Sequence, residues 1–188
     1  MVVLIGLVIL MVIAASYLAG IYNQLVQIKV NVDKSWANLE VLEKQRYDEI
    51  PKLVKVCEGY MQYERSTLEK VIAARSRFLQ AQGPGEMAQA GSEMAGALKG
   101  LFALAEAYPD LKANQSFGQL QQRVSALENE IADRREFYNE SVTINNARIQ
   151  QVPYVFLSGM LSMTQREMYK IAPAEKASPE IKFAMPAA

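Results

Sequence analysis

Glu43, Arg46, Glu64, Arg75 and Arg135 stand at helical positions where the apolar periodicity of this chain predicts hydrophobic side chains, with Arg134 the neighbouring candidate for the last of them. Carboxylates and guanidiniums at such positions either pair across a helical bundle or snorkel to its edge. Charged groups forced into a protected site are also the raw material of ligand binding and catalysis. The first expectation is an intrabundle ion-pair set that fixes helix register, ahead of a small-molecule or partner site and well ahead of catalysis.

The rest of the composition narrows the chemistry by what it lacks. There is no histidine, which removes the commonest general base, the Ser-His and Cys-His nucleophile pairs and the Glu-x-x-His ligands of di-iron bundles. With one cysteine, a zinc site has no usual ligand set and no intrachain disulfide can form. Gly83-Pro84-Gly85 has neither the Lys-Ser/Thr of a phosphate-binding loop nor a strand before it. No catalytic residue, no cofactor and no metal site is therefore expected. Cys57 reads as a buried small hydrophobe, and Trp36 as a core residue or as a brace against lipid headgroups. Lys+Arg and Asp+Glu are equal at 20 each, so no net field attracts phosphates and no nucleic-acid partner is expected.

The elements that would carry these residues begin in a membrane. The first charge is Lys29, and a run of about 20 apolar residues matches a hydrocarbon core of roughly 30 Å. Nothing basic precedes the run, so it reads as a retained anchor, although Ala14-Ala15-Ser16 and Ala19-Gly20 are small enough to imitate a cleavage region. Tyr17 and Tyr22 suit the headgroup level. The expected organisation is an anchor over 1–22, a helical bundle over 23–170 and a flexible tail over 171–188, from the Pro-containing sequence beyond Pro173. Lys29 and Lys34 tilt the side of the bundle toward the cytoplasm and leave it open.

Apolar steps of three and four run through Leu25, Ile28, Val32, Trp36, Leu39 and Leu42, so the first bundle helix grows straight out of the anchor. Ile50-Pro51 is expected to interrupt it, with the pattern restarting through Leu53, Cys57, Tyr60, Leu68, Val71, Ile72 and Leu79 up to a turn at Gly83-Pro84-Gly85. Whether the stretches on either side of Pro51 are antiparallel helices or one kinked rod stays open. Met87, Gly91, Met94, Leu98, Leu101, Ala105 and Tyr108 define the next helix. Pro109-Asp110 ends it, and Ser116 with Gln119 forms a capping box for the last, whose stripe runs from Phe117 to Ile149. Asn114 and Tyr108 read as turn or core chemistry, as do Tyr60, Tyr138 and Asn139. The fold class is all-α: a transmembrane helix continuing into an elongated antiparallel bundle of about four long helices.

Gly91, Gly96 and Gly100 each weaken a helix interior by about 1 kcal/mol against alanine, so they are expected to permit a close approach by a neighbouring helix or by another subunit. Between Arg148 and Arg166 there is no charge. Tyr154, Phe156, Leu157, Met160 and Leu161 in that interval are too short a run to span a bilayer and read as a packed or membrane-surface segment. An up-and-down bundle returns them to the membrane, whereas a single rod through Pro51 removes that count of turns.

With these stretches in view, the chain resembles the LemA family of bacterial membrane-associated helical proteins. The matching runs are YNQLV from Tyr22, VDKSWANLEVLEKQRYDEIPKLV from Val32, GYMQYE from Gly59, TLEKVIAAR from Thr67, AEAYPDLKANQSFGQLQ from Ala105 and LENEIADRREFYNESV from Leu127. The chain departs from the family at Gln45-Arg46, where two basic residues are usual, at Asn145-Asn146, where Tyr-Asn is usual, and at Pro153–Leu157, where a Pro-Asn-Leu-Ile-Ala run and a Gly-Phe element are usual. The resemblance implies an N-terminal membrane helix, a soluble antiparallel bundle and no established enzymatic activity, with a bacterial inner membrane as the single-pass location. The anchor running into a helical rod, the glycine-alanine stripe of the third helix and the second apolar segment suggest a membrane-anchored scaffold that forms homo-oligomers and organises the lipid bilayer. The alternative that the resemblance suggests is an adaptor or regulator of a membrane-protein partner such as a protease.

Overall fold

The apolar run is the opening part of a single helix, α1, Val2–Glu58, in the computed structural model, which describes residues 1–61 and 63–170. Residues 1–20 are exposed throughout, and α1 is the one helix among the described residues long and apolar enough to cross a membrane. Burial starts at Ile21 and continues at Leu25, Val32, Leu39, Ile50, Leu53 and Cys57, the three-and-four spacing of one helical face. α2 covers Arg65–Gln80, α3 Gly83–Ala105, α4 Pro109–Lys112, α5 Gln115–Arg148 and α6 Tyr154–Met160. No strand occurs among the described residues, so the protein is all-α.

Pro51 does not interrupt α1, which runs on to Glu58. Proline removes one backbone donor and crowds the preceding turn, but Ile50, Leu53 and Cys57 keep the buried stripe in register across it while Pro51 itself faces solvent. Burying each such aliphatic side chain contributes about 1.5–3 kcal/mol, enough to offset one lost hydrogen bond. α1 ends at Glu58 and α2 starts at Arg65. Gly83-Pro84-Gly85 is likewise not a separate turn: Ala81 and Gln82 make the link, and the triplet forms the first turn of α3, with Gly83 at φ 75° and Pro84 just inside the helix. A positive φ is where glycine is needed, and proline at a helix start forgoes a donor that has no partner anyway. Glu86 completes this start by accepting the Gln82 backbone N–H at 2.8 Å.

Two compact units divide the chain. The first comprises α1 to Glu49 and the segment Gln122–Met168. Its contacts pair falling numbers on α1 with rising numbers on α5: Glu49 with Arg123, Arg46 with Glu128, Glu43 with Arg135 and Trp36 with Tyr138, whose ring centroids are 5.1 Å apart. The two helices are therefore antiparallel here. Val124, Leu127, Ile131, Val142 and Ile149 supply the buried face of α5. After α6 the chain runs back alongside α5, where Asn145 and Asn146 donate to the carbonyls of Thr164 and Arg166, Asn146 accepts the Arg166 N–H and the Tyr138 hydroxyl donates to the Glu167 carbonyl.

The second unit comprises Ile50–Gln121 with Tyr169. α2 and α3 form an antiparallel hairpin tied by Arg77 to Glu93 at 2.6 Å and by the Tyr108 hydroxyl to Glu64 at 3.4 Å. Leu68, Val71, Met94, Leu98 and Leu101 are buried, as are Met61, Leu111 and Phe117. The start of α5 is capped by Asn114, whose Oδ1 accepts the Phe117 N–H at 3.1 Å, and the helix begins at Gln115. The expected box at Ser116 and Gln119 is thus one residue inside the helix. Tyr169 closes this unit by donating to the Met87 carbonyl. The tail expected over 171–188 lies outside the described residues.

Candidate functional site

The spacing that buries Leu39 and Leu53 also buries Glu43, Arg46 and Glu49, since all fall on one face of α1. Glu43 is 1 % exposed and Arg46 2 %. The Arg46 guanidinium uses both terminal nitrogens: Nη2 holds Glu43 Oε2 and Nη1 holds Glu128 Oε1 at 2.7 Å. Arg135 Nη2 reaches the other Glu43 oxygen at 3.2 Å. Arg123 Nε bonds Glu49 Oε1 at 3.1 Å on the same pair of helices. Three carboxylates thus meet three guanidiniums, and charge-assisted hydrogen bonds offset the desolvation of Glu43, Arg46 and Glu49, while Arg123 stays exposed.

Such a cluster suits register rather than reaction. A guanidinium does not give up a proton in proteins, and both Glu43 oxygens are occupied by cations. Among the described residues no group of His, Cys, Asp and Glu is arranged to hold a metal ion.

The five expected residues divide between places. Glu43, Arg46 and Arg135 come together, whereas Glu64 and Arg75 belong to the second unit. There Glu64 takes the Tyr108 hydroxyl, whose pKa is raised by burial and by the Glu64 charge beside it, and Arg75 is half-buried on α2. Arg134 faces solvent. Sequence reasoning did not single out Glu128, Glu49 or Arg123. Glu49 carried a signal, since it lies three residues beyond Arg46 on the stripe, but Glu128 and Arg123 sit on exposed or half-exposed positions of α5 that periodicity alone leaves unmarked.

Gly91 is buried in α3, but Gly96 and Gly100 are exposed, and a Cβ added at either would meet nothing within 4 Å. A close approach by another of the described residues therefore does not account for those two. Tyr60 and Asn114 are linked, the Asn114 amide donating to the Tyr60 hydroxyl at 3.0 Å. Asn139 is half-buried on α5. Cys57 is fully buried and its thiol pKa is pushed up by burial from 9.0 to about 11, so it behaves as a core side chain at neutral pH.

The charge-free interval forms α6. Its first residue, Tyr154, donates to Gln24 on α1 at 2.6 Å, and the Arg148 guanidinium lies 4.6 Å from the Tyr154 ring centroid, a cation–π geometry. Phe156 and Met160 are 73 % and 81 % exposed, Leu157 and Leu161 are half-buried, and Ser158 is buried.

Known proteins match this chain over most of its length. A family model described as the LemA family matches residues 35–183. The chain is also similar to Protein LemA of Metamycoplasma hominis, with 27 % identity over 157 residues covering 81 % of this chain and 68 % of that relative.

Proposed function

The chain belongs to the LemA family, and from that premise we propose that it is a non-enzymatic, membrane-anchored scaffold that self-associates through its helices and organises the membrane around it. The observation that carries this reading is the continuity of α1, which leaves an unburied apolar span and enters the first unit without a break. A signalling tether or a mobile enzyme domain has no need of so stiff a junction, whereas an assembly that imposes geometry on lipid does. Gly96 and Gly100 are exposed on α3, and among the described residues nothing lies within 4 Å of a Cβ added at either, which suits contact between copies. The proposed location is a bacterial inner membrane, crossed once.

The test is the native mass of the full-length protein in mild detergent, with electron microscopy of the same sample. A defined ring, cage or filament supports the scaffold. Monomers only, both in detergent and after cross-linking in membranes, overturn it. A monomer that carries a second protein in fixed stoichiometry replaces it with an adaptor of that partner.

A further inference from the structure

We propose that α6 is a second membrane contact, laying the apolar face of Val155, Phe156 and Met160, with Val152 just before the helix, into the headgroup boundary of the leaflet from which α1 emerges. The inference rests on α1 being inserted, and extends that reading from a single anchor to a two-point attachment.

Three observations converge on the bilayer as the occupant. The first is position. At about 1.5 Å per residue the unburied stretch from Val2 to Gly20 is about 28 Å long, which fills a hydrocarbon core of about 30 Å. Gln24 follows four residues later, about 6 Å further along the axis, inside the headgroup layer that brings a bilayer to about 40–45 Å. The Tyr154–Gln24 hydrogen bond fixes the start of α6 at that level.

The second is exposure. Val155, Phe156 and Met160 fall within one arc of α6 and are all exposed, as is Val152 just before the helix, while Ser158 on the opposite side is buried against its own unit through bonds to the carbonyls of Ile149 and Val155. Phe156 and Met160, on a helix of 7 residues, are left uncovered by the described residues, and contiguous exposed apolar groups mark a contact surface.

The third is the polarity of the rim. No charge interrupts the chain between Arg148 and Arg166; Arg148 lies against the Tyr154 ring where α6 meets α1, Lys29 follows Gln24 by five residues on α1, and Arg166 pairs with Asp33 about 14 Å further along α1. Apolar residues bordered by cations are the composition of helices that lie in a membrane interface.

The experiment uses the full-length protein in lipid vesicles, with Phe156→Cys carrying an environment-sensitive fluorophore and Ser125→Cys as reference. Ser125 is exposed and lies two residues beyond Arg123, the partner of Glu49, about 35 Å along α5 from Arg148. Wild-type protein treated identically reports any labelling of Cys57. The expected result is blue-shifted emission at 156 that spin-labelled lipids quench several-fold, with water-like, unquenched emission at 125. Water-like emission at 156 overturns the proposal, as does a shielded probe that lipid quenchers do not reach, which assigns the face to protein. Flotation after an alkaline wash separates either failure from failure of the anchor, since protein without an inserted α1 leaves the vesicles. Val155→Cys provides a second reporter should the 156 variant lose helicity by circular dichroism.

Discussion

Arg46 and Glu128 are 82 residues apart in sequence and 2.7 Å apart in the folded chain, and the same guanidinium holds Glu43 one turn earlier on α1. Removing one partner from a buried set leaves the others charged and desolvated. Arg46→Ala should therefore lower unfolding stability by about 3 kcal/mol. Lys44→Ala, which removes an exposed pair with Asp48, should change it by less than about 0.5 kcal/mol. Urea unfolding of both variants checks this, and equal losses would show that the cluster does not hold the helices in register.

Alkaline pH should weaken the fold in a defined window. An acid whose folded pKa exceeds its unfolded one contributes stability that is complete below the unfolded value and is lost as pH climbs through the folded one. For Cys57 the interval runs from pH 9.0 to about 11. Tyr138 adds a loss of the same sign that sets in above its ordinary pKa of 10.0, its pKa raised mainly by burial and further by Glu167 and Asp33, against the lowering effect of Arg166. Cys57→Ala should flatten the pH 9–11 slope of the melting temperature. At neutral pH the native thiol should resist a thiol-reactive chromophore until denaturant is added.

Asn114 makes two bonds that substitution can separate. Asn114→Ala removes the cap on α5 and should reduce stability by about 1 kcal/mol. Asn114→Asp keeps the acceptor for the Phe117 N–H while replacing the amide donor that serves Tyr60, so it should retain most of that stability. Matching losses in thermal melts would place the weight on the Tyr60 link instead.

Gly96→Ala and Gly100→Ala should each add roughly 1 kcal/mol to the folded monomer, because alanine favours the helix and its Cβ meets no neighbour. Under the scaffold reading they should also shrink the native assembly seen by light scattering. Gly83→Ala should act the opposite way, destabilising by roughly 1 kcal/mol at its positive φ.

Much of this architecture was readable from spacing. The stripe from Leu25 to Cys57 and that from Phe117 to Ile149 are buried where periodicity places them. Pro51 misleads because its rule describes one backbone bond, whereas the buried residues on both sides act together. Asn114 outranks Ser116 as a cap because helix starts are set by local geometry that several polar residues can satisfy. The charged residues show the deeper limit: periodicity told which side of a helix Glu43, Arg46 and Arg75 occupy, but partner choice depends on which helices meet, and Glu64, placed on a helix by the same spacing, lies just before α2, where it meets Tyr108.

α1 has neither Pro nor Gly between Gly20 and Glu49, so the span and the buried cluster share one axle. A helix turns through about 100° per residue, and without a swivel a rotation of the apolar stretch reaches Glu43 at full angle. With Val2–Gly20 inserted as proposed, the rotation of the span would dictate the compass heading of the first unit, and a change in bilayer thickness that tilted the span would steer that unit with it.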